Sequence, residues 1–158
     1  MKCLARTSSA TASDFVSIQR GVHRVQLARV LPGNRYFETL DAAATDAAAA
    51  AAVEFYRAAD GVLFVLDAQV ARHAHNLAAL TLFNAAADRR PIVYLVNKQD
   101  LPLTQTPTEA AAAYAIAPER CIGGAAKECA GVDAAVDELL TFVGNLVGKR
   151  ERRPHGRR

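Results

Sequence analysis

The apolar positions of this chain fall into runs whose period changes along its length. Two unbroken runs stand out. Gly61-Val62-Leu63-Phe64-Val65-Leu66 ends on Asp67, and Pro91-Ile92-Val93-Tyr94-Leu95-Val96 ends on Asn97-Lys98-Gln99-Asp100. Short continuous runs rich in β-branched and aromatic residues predict strands covered on both faces, as in a parallel sheet. Between them lies a helical pattern, roughly Ala71 to Ala87, with Leu77, Leu80 and Phe83 at three-residue steps. Strand, helix, strand predicts a βαβ unit.

Upstream, Asp14-Phe15-Val16-Ser17-Ile18-Gln19 and Arg24-Val25-Gln26-Leu27-Ala28-Arg29-Val30 alternate in period two around Gly21-Val22-His23. That pattern predicts an antiparallel hairpin. Its second strand runs into Leu31-Pro32-Gly33-Asn34, a sequence that also suits a plain hairpin exit. From Tyr36 to Arg57 the alanine runs 42–44 and 47–52 predict a helix, because alanine is the strongest helix former. A biased-composition insertion without a role is the alternative.

Downstream, Ile122-Gly123-Gly124-Ala125-Ala126-Lys127-Glu128 reads as a short strand turning into a loop of small residues. Thr106, Pro107 and Glu109 form a helix-start signature, cap, first-turn proline and capping-box acid, for a helix to Tyr114. The closing helix, Asp133 to Val147, sets Val136, Leu139, Leu140, Val143 and Val147 on one face.

Composition narrows the class. At 158 residues and 51% hydrophobic, the chain is one domain with material for a real core. Cys3, Cys121 and Cys129 lack metal-ligand spacing, and their odd count fits a reducing compartment better than a disulfide framework. His73 and His75 have no Cys or third His at ligand spacing and read as solvated. No apolar run is long enough to span a membrane, so the chain alone reads as soluble and cytoplasmic. Residues 149–158 hold six basic residues and one acidic one, +5 against +3 for the whole chain, which leaves about −2 elsewhere. The basic excess is therefore a tail property, and direct nucleic-acid binding is not expected from it.

The candidate chemistry lies at the carboxyl ends of the two strands, where open α/β sheets bind ligands. A carboxylate there, Asp100, can accept two parallel hydrogen bonds from a ring N–H and an exocyclic amine, which guanine offers and adenine does not. The Asn97 amide can tie neighbouring loops together, and the stem of Lys98 can lie over a flat ring. Backbone N–H groups in the loop of small residues after Ile122 can approach a purine O6, since nothing bulky intervenes. A strand running into a polar turn has the same composition, so context carries the distinction.

In series these segments resemble the small GTPases. Val96-Asn97-Lys98-Gln99-Asp100-Leu101-Pro102 is similar to the guanine-specificity motif of the Arf-like branch, and Ala125-Ala126-Lys127 to its Ser-Ala-Lys motif with alanine for serine. Leu31-Pro32-Gly33 with Asn97-Lys98-Gln99-Asp100 points to the β subunits of the signal recognition particle receptor, with bacterial MglA-like GTPases fitting almost as well.

The resemblance implies an α/β, P-loop-NTPase-like fold, a mostly parallel sheet flanked by helices, over residues 1–148, with 149–158 as a disordered basic tail. It implies GTP or GDP with Mg2+ as cofactors, the receptor α subunit as partner, and the cytosolic face of the endoplasmic reticulum membrane as location. Guanine would be met by Asn97, Lys98, Asp100, Ala126 and Lys127, and phosphate by Gly33. Tyr36 to Arg57 would hold the helix of the second switch.

Three departures qualify this. No Gly-x-x-x-x-Gly-Lys-Ser/Thr occurs in the sequence, so the domain reads as N-terminally shortened, without its first strand and phosphate loop. That strand belongs between Arg24–Val30 and Gly61–Leu66, so its loss is expected to leave an unpaired edge on each. Val30 stands where the family has its magnesium-supporting aspartate, and Asn34 where many members orient water with glutamine, so weak or no hydrolysis is expected. A pseudo-GTPase that serves as a protein-binding scaffold is the alternative function.

Overall fold

The computed structural model describes the backbone of residues 15–20, 23–30, 35–39, 57, 59–86 and 90–151, and the side chains of 57, 59–81, 83–84 and 90–146. The chain is α/β, and its centre is a parallel three-stranded sheet flanked by helices. The strands are β1 (Phe15–Arg20), β2 (His23–Val30), β3 (Arg35–Thr39), β4 (Val62–Asp67), β5 (Ile92–Asn97) and β6 (Cys121–Gly123). The helices are α1 (His73–Ala86), α2 (Pro107–Ala113) and α3 (Val132–Glu151), with 3-10 turns at Val70–Arg72 and Pro118–Arg120.

The parallel sheet runs in the order β4-β5-β6. Register pairs Val62 with Ile92 and Asp67 with Asn97, so the two polar strand ends lie side by side. Alternation along β5 divides the core. Tyr94 and Val96 join Phe64, Leu66, Leu80, Phe83 and Ala110 on one face, while Val93 and Leu95 join Val132, Ala135, Val136 and Leu139 on the other. This division explains why the β5 sequence is apolar throughout instead of alternating. On the α1 side Phe64 meets Phe83 edge-on at 5.4 Å between ring centres, an arrangement that matches ring edge to ring face.

Helix α1 departs from the expected stripe. Leu80 and Phe83 are buried, but Leu77 is 46% exposed and Asn76, 4% exposed, takes the inward place. At about 100° per residue, positions 76, 80 and 83 cluster on one side while 77 lies nearly a quarter-turn away. Helix α2 begins as its sequence predicts. The Thr106 hydroxyl accepts from the Glu109 amide, and the Glu109 carboxylate accepts from the Thr106 amide, a reciprocal capping box. Those bonds hold the Glu109 carboxyl below its ordinary range. Helix α3 buries Val136 and Leu139 and packs Leu140 and Val143 against them as expected; the Val147 side chain lies outside the described residues. It runs to Glu151, three residues into the basic stretch.

The expected hairpin is present, β1 against β2 with Arg20 opposite His23. Tyr36 to Thr39, however, belong to β3 and not to a helix. This strand pairs antiparallel with β2 from Val30↔Arg35 to Gln26↔Thr39. Aromatic and β-branched residues with alternating charges favour a strand locally, and the alanine run that suggested a helix starts only after them. Residues 40–56 lie outside the described residues; Arg57 is helical. Because β1-β2-β3 form their own sheet, β2 has a partner on both sides, which corrects the unpaired edge expected there. Strand β4 does lie at the edge of its sheet, with Val65 53% exposed.

Candidate functional site

Three loops meet at the carboxyl end of the parallel sheet, and backbone bonds stitch them together. The turn after β5 is closed by the Leu101 amide donating to the Lys98 carbonyl at 3.1 Å. It returns to the end of β4, where the Gln105 amide donates to the Ala68 carbonyl at 2.8 Å and Gln69 bridges Thr104. The loop after β6 joins through the Gly124 amide to Val96 and the Gln99 amide to Gly124, at 3.0 and 3.1 Å.

This third loop is compact because its glycines permit it. Ala125 and Ala130 exchange backbone bonds at 3.0 and 3.2 Å, which folds the intervening residues into a closed turn. A Cβ at Gly124 would stand 2.7 Å from the Ala130 carbonyl oxygen. Gly131 adopts φ +74, and a Cβ there would collide with the Gly123 carbonyl. Neither position tolerates a side chain without moving backbone.

Asn97 binds the two loops as its sequence position suggests. Its Oδ1 accepts from the Ala126 amide at 2.8 Å, which leaves its Nδ2 hydrogens for another acceptor. The Ala126 amide, expected to face a purine O6, is thereby engaged by Asn97, and the next residue, Lys127, is exposed. Asp100 is exposed. Its carboxylate makes no hydrogen bond or ion pair among the described residues. Gly33, the expected phosphate contact, lies outside them, but Val30 and Arg35 face each other in register, so four residues connect β2 to β3.

The Lys98 side chain is 40% exposed and its ammonium is engaged by the neighbouring strand end. Its Nζ donates to Asp67 Oδ2 at 2.7 Å and to Gln69 Oε1 at 3.0 Å, while its backbone sits at φ +72. Arg72 Nε stands 3.7 Å from the same Asp67 oxygen, and Asp67 Oδ1 accepts from the Gln69 amide at 3.1 Å.

Two residues central to this arrangement were not singled out as site residues by the sequence reading. Asp67 ends the neighbouring strand, and Asn76 holds Asp67 in place. The Asn76 amide pairs with the Asp67 backbone, accepting from its N–H at 3.3 Å and donating to its C=O at 2.8 Å, and also donates to the Tyr114 hydroxyl at 2.9 Å. Asn76 thus supplies at the sheet edge the donor and acceptor that a neighbouring strand would supply. Tyr114 in turn stacks on His73 at 4.9 Å between ring centres, so His73 is half-buried and not a solvated histidine. A buried asparagine at the inward position of a helix was the available signal.

Cys121 is a free, half-buried thiol that burial, with the nearby Glu119 carboxylate, pushes above the ordinary range. Cys129 is disulfide-bonded, a departure from the expectation that the three scattered cysteines fit a reducing compartment better than a disulfide framework. An odd count leaves room for one bridge.

No group of three or more His, Cys, Asp or Glu gathers among the described residues. No helix among them is long and apolar enough to cross a membrane. Comparison of the chain with protein-family models and with curated proteins finds no match in either.

Proposed function

We propose that this domain recognises the guanine base of GTP or GDP and belongs to the small-GTPase type, acting as a regulatory subunit like the β subunit of the signal recognition particle receptor. On this reading its nucleotide state governs docking of the receptor α subunit at the endoplasmic reticulum membrane. The observation that carries the base reading is the Asn97–Ala126 bond at 2.8 Å, which locks the loop after β6 beside a turn whose Asp100 carboxylate is exposed and unpaired. That pairing leaves a bidentate acceptor, Asp100, near the Asn97 Nδ2 donor, which suits the donor and acceptor pattern of a guanine edge. The receptor-subunit part rests on the Leu31-Pro32-Gly33 and Asn97-Lys98-Gln99-Asp100 resemblance alone.

Calorimetric titration with GTP, GDP and ATP in magnesium tests the base reading. Guanine nucleotides are expected to bind and ATP not to, and Asp100→Ala is expected to weaken guanine binding at least about tenfold, since hydrogen bonds to a charged group contribute about 1.5–3 kcal/mol. Equal binding of GDP and ATP, or binding unaffected by Asp100→Ala, would refute it.

A second reading, a GTPase-shaped scaffold that binds protein without nucleotide, is favoured by Val30 at the family's aspartate position. Absence of nucleotide binding, with retained fold, is its signature in the same titration.

A further inference from the structure

Two oppositely charged side chains of one turn, Lys98 and Asp100, do not pair with each other. The ammonium is held by the neighbouring strand, on Asp67 Oδ2 at 2.7 Å and Gln69 Oε1 at 3.0 Å. The two carboxylates differ in setting: Asp67 is 19% exposed at its side chain, whereas Asp100 belongs to the exposed residues. A charge pair strengthens as water is withdrawn, so the deeper carboxylate wins the lysine. The second acceptor, Gln69, adds a further bond that Asp100 alone would not supply. The left-handed backbone of Lys98, φ +72, is a conformation that persists only where its surroundings enforce it, and these contacts are part of that enforcement.

We propose that Asp67 is a positioning residue for base recognition: it sequesters the Lys98 ammonium at the end of β4 and so keeps the Asp100 carboxylate unpaired for an incoming guanine. This rests on the guanine reading above. Without the Asp67 charge, Lys98 turns to Asp100 and competes with the base for its oxygens. Asn76 serves the same end one step back, since its amide fixes the Asp67 backbone.

The test is a double-mutant cycle on the full chain with GDP as probe. Asp67→Asn keeps the shape and the Oδ1 acceptor for the Gln69 amide but removes the charge. It is expected to weaken GDP binding about two- to fivefold, the range of an exposed ion pair that must now be broken. Lys98→Met removes the competing ammonium and keeps an unbranched stem. In that background Asp67→Asn is expected to change affinity by less than about 1.5-fold, because no competitor remains. An equal loss in both backgrounds, or no loss in the native one, overturns the proposal.

A nucleotide-free measurement separates failure of this inference from failure of the guanine reading. Scalar coupling across hydrogen bonds between the Lys98 Nζ nitrogen and side-chain carboxylate carbons is expected at Asp67 in the native protein and at Asp100 in Asp67→Asn. Coupling that never reaches Asp100 in the variant overturns the sequestration whether or not GDP binds. Gln69→Met, which removes only the second acceptor, is expected to shift the lysine partway, and it keeps the test decisive if Asp67→Asn does not fold.

Discussion

Asn76→Ala is the perturbation that reaches furthest into this fold. Asn76 is the one buried polar side chain in the described core, and it makes three hydrogen bonds, at 3.3 and 2.8 Å to the Asp67 backbone and 2.9 Å to the Tyr114 hydroxyl. Truncation leaves an amide, a carbonyl and a hydroxyl without these partners. A buried group stranded in this way costs about 1–3 kcal/mol, but Asp67 and Tyr114 are half-buried and water regains part of the loss. The 3.3 Å bond is also long and contributes least. Together these give about 2–3 kcal/mol, a large share of the 5–15 kcal/mol typical of a domain.

Urea unfolding of native and variant protein measures it directly, with unchanged slope as the sign that only stability has moved. Tyr114→Phe removes one of the three bonds and is expected to cost about 1 kcal/mol. Because the two residues share a bond, the double variant should lose less than the sum, by about 0.5 kcal/mol or more. A loss below about 0.5 kcal/mol for Asn76→Ala would refute the claim that its amide stands in for a missing strand neighbour.

Gly131→Ala should destabilise the chain by about 2–4 kcal/mol, since φ +74 is strained for alanine and the new methyl meets the Gly123 carbonyl; thermal unfolding unchanged within error would contradict the loop geometry. The capping box makes acid stability sensitive to Glu109. Its folded carboxyl lies below the ordinary value of 4.5, so the stabilisation is complete above that value and is lost as the pH falls through the folded one. Glu109→Gln should flatten the unfolding curve over that acid window only, and an identical pH dependence in both proteins would rule out this role.

Much of the parallel unit is legible in the sequence because period and punctuation agree there. The β4 and β5 runs, the Thr106 cap and the α3 face all follow from local pattern. Strand β3 was missed because alanine content over a long window outweighed the five residues Arg35–Thr39, whose strand character depends on pairing with β2. Leu77 and Asn76 were exchanged because three-residue steps drift around a helix with 3.6 residues per turn. At the site, Asn97 and Asp100 could be singled out from motif chemistry. The Asp67–Lys98 pair could not, because it is created by strand register across 31 positions and no local spacing encodes it.

Strand β5 belongs to both halves of the core, Tyr94 and Val96 to one and Val93 and Leu95 to the other. Neither layer can come apart while the other stays intact, because each would have to surrender the same backbone. The parallel unit should accordingly unfold as a single cooperative block, with β5 amides exchanging only through global opening. The Asn97–Asp100 turn is rooted in that strand. Its surface can fluctuate quickly, yet its position relative to the loop after β6 persists for as long as the molecule remains folded.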